Sequence, residues 1–222
     1  MKIFALCGSP RKNNSRTAQL LKQVLAGAQL EGAETEYVDL SESKINYCFG
    51  CGKCHKLGEC IQKDSFNSLF GEILQAEGII LGSPVYAGHI TAQLKTWFDR
   101  LANAIHCQRL AGKYGMVIST ANGSGHEDAA NYMEKVLRRI GVQVVDRMAC
   151  TIPGGLLPEE AELLSRARDL GVTLARAIAE KREFPEQLEE QERLRNHYRQ
   201  VILRNKDVWE WEYRYIQEKG WL

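Results

Sequence analysis

Short apolar runs alternating with longer stretches of helical periodicity constrain this chain more than any other feature. Residues 2–7 form the first run and end at Gly8-Ser9-Pro10, and from Ser15 the positions Ala18, Leu21, Val24, Leu25 and Ala28 fall on one helical face. The same alternation predicts strands over Thr35–Leu40, Gly78–Gly82, Tyr114–Thr120 and Val142–Thr151. It predicts helices over Ser65–Ala76, Thr91–Ile105, Glu127–Ile140 and Glu159–Glu180. Five strands separated by helices imply a parallel sheet covered on both faces. With right-handed crossovers this is a doubly wound α/β fold, whose ligands sit beyond the carboxyl ends of the strands.

Two segments depart from the rhythm. Ser41–Asp64 is a glycine- and cysteine-rich connection after the second strand, too long to be a plain turn. After Phe184-Pro185, Leu188, Leu194, Tyr198, Val201 and Ile202 predict an amphipathic helix, and Trp209–Leu222 is dense in aromatics. The expected organisation is therefore an α/β domain over 1–183 that includes a cysteine-rich loop at 47–61, with a helical arm over 184–222. Trp209, Trp211, Tyr213, Tyr215 and Trp221 amount to more aromatic surface than one contact with the parent domain readily covers. That predicts a homo-oligomer, dimer or tetramer, joined through the arm.

Charge and targeting narrow the partners. The 29 Lys and Arg against 28 Asp and Glu leave a net charge of +1, so nothing points to nucleic acid. No stretch approaches the ~18 apolar residues of a membrane helix, and the apolar run at the N-terminus is too short for a signal-peptide core. A cytoplasmic, reducing location follows as an expectation, in which the seven cysteines are thiols or metal ligands rather than disulfides. No nucleophile–base signature supports hydrolysis, and no catalytic side chain is assigned.

Three loops carry binding chemistry. Gly8–Thr17 runs straight into a helix, whose N-terminal N–H groups, with the hydroxyls of Ser9, Ser15 and Thr17, suit a phosphate; Arg11, Lys12 and Arg16 add positive charge. The alternative is an ordinary N-cap. One glycine in place of G-x-G-x-x-G, and no G-K-[ST] ending, argue against a dinucleotide site or a P-loop. Asp39, at the end of the second strand, suits a ribose or equally a turn. After the third strand, Gly88 lets the backbone approach a flat ring, and exposed amides from Val85 to Gly88 suit its carbonyls and ring nitrogens. The loop from Thr120 to Glu127 follows the fourth strand onto the same edge.

Cys48, Cys51, Cys54 and Cys60 crowd four thiols into thirteen residues together with Gly50, Gly52 and Gly58. Structural zinc sites commonly separate two cysteine pairs by a dozen or more residues, so this spacing favours iron–sulfur over zinc, with free or redox-active thiols as a further alternative. The last spacing and the lack of a following proline differ from ferredoxin runs. His55 is expected to be an exposed bystander, Cys7, Cys107 and Cys150 core residues, and His106 and His197 have no neighbouring acid in the sequence.

Gly8-Ser9-Pro10-Arg11, Ser83-Pro84-Val85-Tyr86 and Leu94-Lys95-Thr96-Trp97-Phe98-Asp99-Arg100 give the chain a resemblance, over roughly residues 1–180, to the flavodoxin-like NAD(P)H-dependent FMN reductase superfamily. The cysteine spacing resembles its iron–sulfur flavoprotein branch. The resemblance implies that FMN is held through its phosphate by Ser9, Arg11, Asn14, Ser15 and Thr17. It implies that Pro84, Val85, Tyr86 and Gly88 contact the isoalloxazine, and that Thr120, Ala121 and Asn122 complete the site. It further implies one [4Fe–4S] cluster on Cys48, Cys51, Cys54 and Cys60. The expected activity is electron transfer between a ferredoxin-like carrier or NAD(P)H and a small oxidant, quinone or redox protein. The alternatives are a cluster-free NAD(P)H-dependent FMN or quinone reductase using the same pocket, and a zinc-bound binding module.

Overall fold

The computed structural model describes residues 1–153 and 160–222. Its sheet contains β1 (Lys2–Cys7), β2 (Glu34–Asp39), β3 (Gly78–Pro84), β4 (Tyr114–Ala121) and β5 (Gln143–Thr151), in the spatial order β2-β1-β3-β4-β5. Every pairing is parallel. Flanking helices are α1 (Arg16–Leu30), α2 (Lys53–Leu57), α3 (Phe66–Gln75), α4 (Ala92–Asp99), α5 (Ala102–His106), α6 (His126–Arg139) and α7 (Glu160–Ala179). The arm forms α8 (Pro185–Arg204) and α9 (Glu210–Glu218). This is the five-stranded doubly wound sheet that the apolar rhythm implies, in the flavodoxin-like form that the resemblance implies.

Alternation along β1 distributes the core between the two faces. Ile3, Ala5 and Cys7 pack with Leu21, Val24 and Ala28 of α1 and Leu174 and Ile178 of α7. Phe4 and Leu6 pack with Phe70, Ile73, Leu94, Trp97 and Met133 on the other side. A period of two places successive side chains on opposite faces, so one six-residue run serves both layers. On the first face α1 and α7 approach to backbone contact, since a Cβ on Gly27 would lie 1.9 Å from Arg168 O and one on Gly171 1.9 Å from Val24 O.

β2 lies on one side of β1 and β3 on the other, so the connections leaving their carboxyl ends diverge and open a crevice there. The open edge of β5 is blunted by the arm: Gln187 Oε1 accepts from Val144 N and Gln187 Nε2 donates to Val144 O, both at 2.7 Å. A side-chain amide thus occupies the position a sixth strand would take.

One expectation needs correcting. The helix expected over Thr91–Ile105 is two helices, because at Arg100 and Leu101 the backbone tightens to bonds with Trp97 O and Phe98 O, three residues back, as the Arg100 side chain turns inward. The aromatic arm folds back onto its own chain: Trp209, Trp211, Tyr213, Tyr215 and Trp221 are partly buried around Cys107, Ile202 and Ile216. This packing covers part of the aromatic surface from which the homo-oligomer was expected. Glu159, where the last helix of the domain was expected to begin, lies outside the described residues.

Candidate functional site

Ser9, Arg11, Ser15, Arg16, Thr17, Pro84, Val85, Tyr86, Thr120, Ala121, Asn122 and Ile152 line one cavity of about 340 Å³ at the carboxyl ends of β1, β3 and β4. Of the twelve residues expected there, Asn14 and Gly88 are not in its lining. Ser15 is the N-cap of α1, its Oγ accepting from Ala18 N at 3.1 Å. Capping uses the oxygen as acceptor and does not consume the hydroxyl hydrogen, so the capping and anion-binding readings coexist. Thr17 Oγ1 and Thr120 Oγ1, both buried, lie within hydrogen-bond distance across the cavity floor. Asp39 is a turn residue: its Oδ1 accepts from Ser41 N and Ser41 Oγ.

The loop after β3 donates differently from expectation. Val85 N donates to Thr120 O and Tyr86 N to His89 O, both at 2.8 Å, so these two amides are already used. His89 N returns a bond to Tyr86 O, closing a tight turn in which Ala87 and Gly88 both have positive φ, 50° and 79°. Among the described residues, the amides of Ala87 and Gly88 at the tip have no acceptor in the chain. A Cβ added at Gly88 would meet nothing within 4 Å, so glycine there serves the positive φ. The cavity therefore offers anion donors at its α1 end and tip amides nearby for an acceptor-rich ring edge.

All four loop cysteines line a second, small cavity, together with Phe49, Ile61, Gln62, Asp99, Arg100 and Ala102. Cys48 and Cys51 are exposed, Cys54 and Cys60 half-buried. Cys54 begins the second position of α2, a five-residue helix bracketed by Gly52 and Gly58, both left-handed. The backbone of Cys60 is clamped by Asn67, whose Oδ1 accepts from Cys60 N at 3.2 Å while its Nδ2 donates to Cys60 O at 2.7 Å. Among the described residues, the set of three or more metal-capable side chains whose ligand atoms all lie within 4.8 Å is His55, His106 and Glu212, not the cysteines.

Several residues of this region carry no signal in the sequence. Arg100 is 5% exposed, bidentate on Asp64 at 2.8 and 3.2 Å and bonded to Asn46 O at 2.9 Å, while its Nε is buried without a partner in the chain. Its guanidinium also interacts with the Cys60 thiol. Burial alone would raise the Asp64 carboxyl, but hydrogen bonds from Arg100 and from the Asn46 and Phe66 amides outweigh it and hold Asp64 below the usual aspartate value. On the other side of the loop Glu212 is fully buried, with Oε1 2.7 Å from His55 Nδ1 and Oε2 3.2 Å from His106 Nδ1. Burial raises the Glu212 carboxyl, and the bonds from His106 and His55 more than offset it. Burial, and after it the Glu212 charge, push the Cys54 thiol up. His55 is therefore no exposed bystander, and the acid beside His106 lies 106 positions along the chain. Cys7 and Cys107 are buried as expected, and Cys150 is half-buried.

A family model described as NADPH-dependent FMN reductase matches residues 1–155. Over its whole length the chain is 35% identical to an iron–sulfur flavoprotein of Archaeoglobus fulgidus, an alignment of 225 residues that spans 100% of both proteins. A second iron–sulfur flavoprotein of that organism is 30% identical, over 82% of this chain and 93% of its own. Among solved structures, the chain matches a flavone reductase with a TM-score of 0.66 at 20% identity, covering 81% of this chain and 63% of that one. It matches a flavodoxin from the domain Archaea with a TM-score of 0.56 at 16% identity, over 81% and 99%. At those identities the structural likeness is one of fold.

Proposed function

The chain belongs to the NADPH-dependent FMN reductase family, within its iron–sulfur flavoproteins, and is a flavin-dependent oxidoreductase; from that premise we propose that it holds FMN and a [4Fe–4S] cluster and passes electrons between a ferredoxin-like carrier or NAD(P)H and a small oxidant, quinone or redox protein. The observation that carries the reading is the pairing of two preformed cavities, one lined by ten of the twelve expected flavin residues and one lined by all four cysteines.

The residues present fit both groups. The α1 end of the larger cavity joins helix N–H groups to Arg11 and to the Ser9, Ser15 and Thr17 hydroxyls, a donor set suited to a phosphate dianion. The tip amides of Ala87 and Gly88 suit the acceptor edge of the isoalloxazine, with Pro84, Val85 and Tyr86 against the ring. At the cysteines, Arg100, whose Nε is buried without a partner in the chain, lines the cavity and its guanidinium interacts with Cys60, which sets positive charge at thiols that carry negative charge when they ligate iron. FMN would supply one- or two-electron chemistry and the cluster one-electron transfer. The protein's part is to bind and orient: the phosphate loop anchors one end of the flavin, the β3 loop its ring, Asn67 the Cys60 backbone, and Arg100 offsets thiolate charge.

A homo-oligomer, dimer or tetramer, belongs to the proposal, with Tyr47 and Phe49 of the cysteine loop, 75% and 71% exposed, as the apolar surface left to cover. A cytoplasmic site is consistent with the absence, among the described residues, of any helix long and apolar enough to cross a membrane. Anaerobic purification with flavin and metal assays tests the reading. FMN near one and iron near four per chain, with a broad brown absorbance beneath the flavin bands, is the expected result. Flavin without iron points to the cluster-free reductase, and zinc without flavin overturns the reading.

A further inference from the structure

Glu212 arrives at the cysteine loop from the far end of the chain, and its surroundings are built rather than incidental. Its carboxylate is 0% exposed and faces His55 Nδ1 at 2.7 Å, His106 Nδ1 at 3.2 Å and Asn103 Nδ2 at 3.4 Å. Asn103 Nδ2 also donates to Cys54 O at 3.3 Å, so one amide spans the carboxylate and a loop cysteine. Trp209 stacks on His55 at 4.3 Å and on His106 at 5.2 Å. The two imidazoles stack within 13° of parallel at 5.0 Å. Each Nδ1 meets its own carboxylate oxygen, which makes the trio a hydrogen-bonded tie.

The tie acts on the segment that carries Cys54. α2 has five residues, too few to hold itself helical in water. Glu212 holds His55 within it, while at its C-terminal end a Cβ on Gly58 would lie 2.3 Å from the Trp211 ring, and Arg109, 5.0 Å from that ring, donates to Gly58 O at 2.9 Å. Glu212 and Trp211 both belong to the nine-residue helix α9. A helix that only needed to dock would bury an apolar side chain at lower cost than a carboxylate.

We propose that Glu212 is a positioning residue for the iron–sulfur centre: through His55 it fixes the turn bearing Cys54, and its buried charge lowers the reduction potential of the cluster. The proposal rests on the reading above that the four cysteines hold a cluster. A fixed negative charge disfavours the more negative, reduced form, so removing it favours reduction.

The test compares wild type with Glu212→Gln, Glu212→Leu and His55→Leu, all purified anaerobically. It reads iron per chain, the midpoint potential by dithionite titration followed by electron paramagnetic resonance, amide exchange over residues 48–60, and FMN affinity as the check on folding. Glu212→Gln should keep iron but shift the reduction equilibrium at least tenfold towards the reduced form, about 59 mV upward for one electron. Glu212→Leu and His55→Leu should both accelerate exchange over 48–60 at least tenfold and lose iron, with FMN affinity unchanged. An unshifted potential in Glu212→Gln, or wild-type exchange in both leucine variants, overturns the proposal. If Glu212→Leu fails to bind FMN, His55→Leu decides, because it breaks the tie from the loop side and leaves every residue of α9 in place. Iron-free wild type sinks the cluster reading and the potential half together, and the exchange comparison then decides the tie alone.

Discussion

Thr17 Oγ1 and Thr120 Oγ1 lie 2.7 Å apart, joining the first turn of α1 to the carboxyl end of β4 beneath the larger of the two cavities. One hydrogen bond thus couples the loop proposed to meet the phosphate to the strand proposed to close the ring side, and a binding defect at either end is expected to be felt at the other.

FMN should bind about a hundredfold more tightly than riboflavin, roughly 2.7 kcal/mol, the worth of one or two charge-assisted hydrogen bonds. Arg11→Gln should remove much of that preference while leaving riboflavin affinity nearly unchanged. Fluorescence quenching titrations measure both; equal affinity for the two flavins in the wild type would remove the phosphate assignment.

Cys60→Ala should lose or degrade the cluster and leave FMN bound, because the two loops follow different strands and Asn67 still clamps the backbone at position 60. Loss of one thiolate opens an iron to solvent and oxidant. Iron analysis beside flavin absorbance checks it. Full iron with an unchanged spectrum would mean that the four-cysteine ligand set is wrong.

Arg100→Met should cost about 3–5 kcal/mol at neutral pH, because it strands the Asp64 carboxylate in a site where the pair is 1% and 3% exposed. The sign of the pH dependence follows from Asp64. Its folded pKa is depressed below the unfolded value near 3.9, so its stabilisation is present above about pH 4 and lost as pH falls through the folded value. In the methionine variant the lost partner no longer matters once Asp64 is protonated, so the deficit should shrink below pH 4. Urea denaturation at pH 7 and pH 3.5 tests this; a deficit independent of pH would contradict it.

Gly171→Ala should destabilise by about 1–3 kcal/mol. Alanine ordinarily stabilises a helix interior by up to ~1 kcal/mol over glycine, but here its Cβ would sit 1.9 Å from Val24 O and force α1 and α7 apart. FMN affinity should change little. A variant as stable as wild type in urea would show that the helix pair has room to move.

The arm shows where local reading stops. Its helical periodicity and aromatic density are legible in residues 184–222, yet both favour docking on a second copy as readily as on the parent domain, and the structure folds it inward. The helix over 91–105 fails for a similar reason: Arg100 fits helical periodicity, but the pull of Asp64, 36 positions earlier, draws it inward where the helix breaks.

What the sequence determined by itself is what neighbouring residues encode. Strand and helix periods specify the parallel sheet, the strand ends place ten cavity-lining residues on one edge, and four thiols in thirteen positions define a metal-competent loop. Only the tertiary structure decided which charges flank that loop. Arg100 reaches Cys60 and Glu212 reaches His55 across 40 and 157 positions, and no local period records such pairings. They exist because the break between α4 and α5, in mid-chain, and α9, near its end, both meet the loop, and side-chain partners at that separation are set by how the helices fit together, not by the order of the residues within any one of them.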